Sequence, residues 1–169
     1  MKSFIKAVFI LMTLVSAPFS QAYSHVAGVM DWDGKETVTF TGRFDEAAAD
    51  RIEKMHKMFG FKKLVLNSQG GVMVAGTQAG RYIRANDIRV SVKGQCLSSC
   101  ALAAIGDKQF KGELKFHAPF LTKEQLAKIP QAEADVIVYN SKVLMWDHLI
   151  RMGHNNIPIT EDWYTVVII

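Results

Sequence analysis

Three times along this chain a short apolar or β-branched run gives way to a segment with helical spacing. Glu36 to Gly42 (ETVTFTG) alternates and is rich in β-branched residues, which predicts a strand. Ala48, Ile52, Met55 and Phe59 then share one helical face, with Asp45 placed to cap a helix from Glu46 and Gly60 placed to stop it. Lys63 to Asn67 is a short apolar strand of the kind buried in parallel sheets. Ser68-Gln69-Gly70-Gly71 makes a turn, and Val72 to Ala85 reads as a helix opening directly from it. Ile88 to Val92 is a third strand, and Ala101 to Ile105 a helix of small residues ended by Gly106-Asp107. A β-α-β-α-β-α order implies a mostly parallel sheet with helices on its faces.

The remainder is less regular. Gln109-Phe110 and Leu114 to His117 are short strand candidates. Lys123 to Ile129 and Glu133 to Met152 are predicted helices separated at Pro130, with Gly153 closing the second. Thr165 to Ile169 is an apolar, strand-like tail. No repeat, low-complexity stretch or linker interrupts the pattern, so a single α/β domain is expected.

With 49% hydrophobic and 21% charged residues over 169 positions, the chain is too apolar for a disordered tail and too charged for a multi-span membrane protein. The net charge of +4 is not gathered in one run, so nucleic acid is not an expected partner. Two cysteines exclude a disulfide-dense miniature fold and a four-cysteine zinc site.

The N-terminus has the three-part layout of a secretory signal. Lys2 and Lys6 precede the apolar run Ala7 to Val15, Pro18 breaks it, and Ser20-Gln21-Ala22 offers a small-residue cleavage site. Residues 1–22 are read as a signal peptide and 23–169 as the mature domain. Cleavage removes half of the excess positive charge and places the protein in the periplasm or outside the cell, where thiols can pair.

Ligands of parallel α/β sheets sit where strands end and helices begin. Two such exits stand out, after Asn67 and after Val92. Ser98 and Ser99 precede the small-residue helix, where unpaired N–H groups face any developing negative charge. Either serine fits a nucleophile by position, and either also fits a simple N-cap. Gly70-Gly71 lets the backbone approach a ligand closely. His117, at a strand exit before Ala118-Pro119, is a candidate general base.

The remaining histidines, His25, His56, His148 and His154, show no metal-ligand spacing and are expected at the surface. Asp31 and Asp33 lack the further oxygen ligands of a calcium loop. The stripe Val138, Met145, Leu149 and Met152 is read as core or subunit contact. No metal and no organic cofactor are expected.

The order of these pieces resembles a known family. Val38 to Asp45 (VTFTGRFD), Leu66 to Val72 (LNSQGGV), Ala75-Gly76, Gly94 to Ser99 (GQCLSS) and Phe116 to Pro119 (FHAP) look like the Clp protease proteolytic subunit and, more broadly, the ClpP/crotonase superfamily. Secreted or periplasmic ClpP-like proteins are more similar still. The resemblance runs from about Glu36 to Tyr164. It implies a ClpP/crotonase-like spiral of βαβ units, with Ser98 as nucleophile, His117 as general base, and Gly71 and Ser99 as oxyanion donors. Asp162, with Glu161 in reserve, would be the acid. The implied activity is that of a serine peptidase acting on peptide or protein substrates. The family assembles through its long helix, so a homo-oligomer is an expectation, whereas no ATPase partner is expected outside the cytoplasm. Cys96 and Cys100 bracket Ser98, and in an oxidising compartment a disulfide there would stiffen the nucleophile turn.

The chain departs from the family in carrying Gln69 where the family has proline, in a shorter interval from Ser98 to His117, and in ending at Ile169 soon after Asp162. A second expectation, favoured by that ending, is a non-catalytic binding or assembly protein on the same fold. A third is a crotonase-type acyl-CoA enzyme.

Overall fold

Val38 and Phe40 leave one face of a strand whose alternate threonines stay half-covered, and this alternation orients the sheet. The computed structural model describes residues 27–159 and 165–169. The predicted cleavage site after Ala22, His25, Glu161 and Asp162 lie outside the described residues.

The elements follow in the order β1 (Val29–Trp32), β2 (Thr37–Thr41), α1 (Ala48–Phe59), β3 (Lys63–Ser68), α2 (Met73–Ala85), β4 (Arg89–Cys96), α3 (Ser99–Ala104), β5 (Glu113–Phe116), α4 (Lys123–Leu126), α5 (Gln131–Arg151) and β6 (Thr165–Ile168). They form a mixed α/β single domain. One sheet has the order β1-β2-β3-β4, with β2, β3 and β4 parallel and β1 antiparallel at the edge. β5 and β6 form a separate antiparallel pair.

Phe40, Phe44, Ile52, Leu64 and Leu66 are fully buried in the core between sheet and helices. Phe40 and Phe44 pack with ring centroids 4.5 Å apart. Each such buried side chain contributes about 1.5–3 kcal/mol. α3 is buried along its whole length, and its small residues let it lie almost against the backbone of α2. A Cβ on Gly76 would come within 2.2 Å of Ser99 O, and one on Gly80 within 2.5 Å of Leu102 O. This close contact sets the position of α3 and of the strand exit that feeds it.

Several expectations need correction. Asp45 does not cap a helix at Glu46. Its carboxylate accepts from Ala47 N–H and pairs with Arg51, and α1 begins at Ala48. Gln109-Phe110 is a turn rather than a strand, because Asp107 accepts from both Gln109 N–H and Phe110 N–H. β4 runs on through Gly94 to Cys96. α4 spans one turn, closed by a capping box between Thr122 and Gln125. His148 is not at the surface but wholly buried, while His56 and His154 are half-buried. Met145, Leu149 and Met152 lie in the core, and Val138 is half-buried.

Candidate active site

Three strand exits lie side by side at one end of the main sheet. Phe44 follows β2, Gly70-Gly71 follows β3, and Leu97-Ser98 follows β4. Phe44 N–H donates to Gly70 O at 2.9 Å and Val72 N–H donates to Phe44 O at 2.6 Å, which fixes the glycine turn from one side. Leu97 N–H donates to Ser68 O at 3.1 Å, which fixes the neighbouring exit from the other.

An irregularity in the β3–β4 pairing aims this second exit. Leu66 pairs with Val92, but Ser68 pairs with Cys96, so β4 carries extra residues here. Asn67 Oδ1 accepts from Gln95 N–H within the bulge. Bulges of this type redirect the strand that follows them.

Ser98 sits at φ 56° and ψ −122°, the N-cap position of α3. For a non-glycine residue this conformation costs on the order of 1–3 kcal/mol and persists only when the surroundings over-determine it. They do so here. Ser98 N–H donates to Lys115 O at 2.8 Å, and Ser98 O accepts from Leu102 N–H at 3.2 Å. A sharp strand-to-helix turn with a serine at its apex presents the hydroxyl outward. The two candidate serines are thereby separated. Ser98 lines a cavity of about 680 Å³, whereas Ser99 Oγ is buried with no hydrogen-bond partner.

The glycine turn fits tightly against this apex. A Cβ on Gly70 would lie 2.6 Å from Leu97 O, 2.7 Å from Ser98 Cβ and 3.1 Å from Ser99 N. Gly70 and Gly71 have φ of 92° and 149°, both in the left-handed region that favours glycine. The N–H groups of Gly71 and Ser99 have no acceptor among the described residues.

His117 follows β5, two residues after Lys115, and lines the same cavity as Ser98. Its Nδ1 lies 2.7 Å from Ala118 O. A carbonyl only accepts, so Nδ1–H is the donor in this contact. Phe120 stands beside the imidazole, with ring centroids 5.2 Å apart. The sequence residues Gly71, Ser98 and His117 thus share one cavity, whereas Ser99 is buried behind Ser98 and does not line it. Asp162 and Glu161 fall outside the described residues.

Cys96 and Cys100 are joined by a disulfide with their Cα atoms 5.2 Å apart, and both are buried. The cross-link spans the Ser98 apex, from the last residue of β4 to the first turn of α3. Among the described residues no group of three or more His, Cys, Asp or Glu side chains is arranged to hold a metal ion. No described helix is long and apolar enough to cross a membrane.

Three contributors to this geometry were not picked out from the sequence. The carbonyls of Lys115 and Ala118 carry no side-chain signal. In the sequence Asn67 reads only as the end of a strand, because the close approach of Gly94, where a Cβ would meet Asn67 Oδ1 at 2.6 Å, is a tertiary contact.

No protein-family model matches the chain, and no curated protein matches it. Among solved structures, a serine-to-alanine mutant of the 1510-N membrane-bound stomatin-specific protease is similar at 13% identity, with a TM-score of 0.45 over 77% of this chain and 70% of that one.

Proposed function

We propose that this chain is a secreted or periplasmic serine hydrolase, a ClpP-like peptidase of the ClpP/crotonase superfamily. Ser98 is the nucleophile, His117 the general base, and Asp162 the acid, with Glu161 in reserve. The observation that carries this reading is the strained Ser98 turn, at a helix N-terminus and on the wall of a cavity it shares with His117.

The chemistry follows from the atoms present. Ser98 Oγ attacks a carbonyl carbon of the substrate while His117 Nε2 takes the hydroxyl proton. The Nδ1–H donated to Ala118 O orients the imidazole and makes Nε2 the nitrogen assigned to that role. The oxyanion that forms is met by Gly71 N–H and Ser99 N–H, donors that need no reorganisation at the moment of reaction. The imidazolium then protonates the leaving amine, which departs and leaves an acyl group on Ser98. Water, deprotonated by His117, releases the acid product. Asp162 would stabilise the imidazolium.

Pre-steady-state kinetics with an activated acyl ester test this reading. A burst of leaving group approaching one equivalent per chain, lost in Ser98→Ala and His117→Ala, supports it. A folded protein with no burst contradicts it and favours a binding role for the same cavity.

A further inference from the structure

His148 is the one histidine of the described residues that is completely buried, and the mechanism above does not use it. It lies on α5, in the middle of the molecule rather than on its surface. Its Nε2 is 2.8 Å from Leu102 O on α3. Because that carbonyl only accepts, Nε2 carries the proton of the neutral ring. The other nitrogen, Nδ1, is buried with no hydrogen-bond partner.

The contact reaches the nucleophile in two steps. Leu102 O accepts from His148, and Leu102 N–H donates to Ser98 O. The ring is also wedged against α2, where a Cβ on Gly80 would meet His148 Cε1 at 2.9 Å and Nε2 at 3.0 Å. One turn before His148, Met145 lines the cavity that holds Ser98 and His117. The imidazole therefore ties α5 to the helix that carries the nucleophile.

We propose that His148 is a positioning residue, whose Nε2–H bond to Leu102 O holds the nucleophile helix in register with α5, and that its buried Nδ1, which has no partner to receive a second proton, makes this packing and the site acid-sensitive. The proposal rests on the hydrolase reading for its link to catalysis.

A second proton on the ring needs an acceptor at Nδ1, and the described residues packed around it supply none. The charges around the ring oppose it as well. Arg81 and Arg84 face it from α2, whereas the Leu102 carbonyl on α3, which has no titratable side chain, and the carboxylate of Asp147 on α5 favour the cation. That carboxylate is itself engaged by Arg151 Nε at 2.7 and 2.9 Å. Burial is the largest of the influences holding the ring below the ordinary histidine value of 6.5.

The sign is fixed by linkage. The unfolded chain takes up a proton as pH falls through 6.5 while the folded ring does not. Stability is therefore full above that value and is lost below it, by up to about tenfold in the folding constant per pH unit, until the folded ring itself is protonated.

The test compares His148→Gln and His148→Ala with the parent chain, each read in two ways between pH 7.5 and 5. Urea denaturation gives the folding constant, and the rate of covalent labelling by a fluorophosphonate gives the state of Ser98. Gln keeps an N–H for Leu102 O and cannot titrate. The expected result is that the parent loses folding constant relative to His148→Gln as pH falls. His148→Ala should label about tenfold or more slowly at pH 7.5 while still folded, and His148→Gln should restore the rate and remove the His148-dependent part of the acid limb. Parallel folding constants for parent and His148→Gln across the range overturn the proposal. So does a His148→Ala chain that labels at the parental rate at every pH. A parent that never labels, yet shows the His148-dependent loss of stability, contradicts the hydrolase reading and supports the tie between α5 and α3.

Discussion

Ser98 N–H donates to Lys115 O at 2.8 Å, so the apex of the serine turn is bonded to the strand that ends in His117. Residues separated along the chain are brought to one cavity by a single backbone bond and the parallel bridge between Leu97 and Lys115 that accompanies it. Anything that lets β5 drift from the end of β4 separates the hydroxyl from the imidazole.

The glycine turn is the most exacting part of this arrangement. Gly70→Ala places a methyl 2.6 Å from Leu97 O and 2.7 Å from Ser98 Cβ, at φ 92°. The backbone penalty alone is about 1–2 kcal/mol, and relief of the overlap must move either the turn or Ser98. Fluorophosphonate labelling is expected to fall about a hundredfold or more, as when an oxyanion donor is removed. Urea denaturation should show a destabilised but folded chain. Parental labelling by Gly70→Ala contradicts this account of the turn.

The disulfide closes a very short loop. Replacing both Cys96 and Cys100 by alanine should lower stability by about 2 kcal/mol on the chain-entropy relation, read as a shift of the urea midpoint. Both sulfurs are buried, so the parent is expected to resist mild reductant until it unfolds. Rapid thiol release from the native protein contradicts that.

Asp45 and Arg51 form two parallel hydrogen bonds of 2.9 and 2.8 Å between the β2 exit and α1. The Arg51 guanidinium, outweighing partial burial, holds the Asp45 carboxyl below its ordinary value of 3.8. A lowered carboxyl contributes stability that is complete above 3.8 and lost as pH falls from there through the folded-state value. Asp45→Asn should therefore be less stable than the parent at neutral pH, with the gap closing in acid below 3.8. Urea midpoints across that range check it, and a pH-independent gap contradicts it.

Phe40 is fully buried and packs on Phe44 beneath the sheet exits. Phe40→Ala should cost about 3–5 kcal/mol, measured by thermal or urea unfolding. A loss under about 1 kcal/mol, far below that range, shows that the core there collapses around the deletion.

Much of the scaffold could be read from periodicity. The β2–α1–β3–α2–β4–α3 succession follows from the change between two-residue and helical spacing, and Gly60 ends α1 through its N–H to His56 O as its position suggested. β1 escaped because Val29–Trp32 is short and mostly exposed, so no alternation marks it. The reach of β4 through Gly94 was hidden by the glycine, which reads as a turn when the opposing Asn67 is unseen. The burial of His148 does have a signal in the sequence. With Met145, Leu149 and Met152 it makes a three-, four- and seven-residue series on one helical face, which places it in the core. The backbone of Ser98 has no local signature, since its strain comes from Lys115 and Leu102, neither adjacent to it in sequence.

The most direct measurement is peptide mapping of the folded protein after reaction with a fluorophosphonate. The account predicts one adduct per chain, located on Ser98, absent from Ser98→Ala and strongly slowed in His117→Ala. An unmodified chain whose native fold is verified, or an adduct on any other residue with Ser98 untouched, contradicts it.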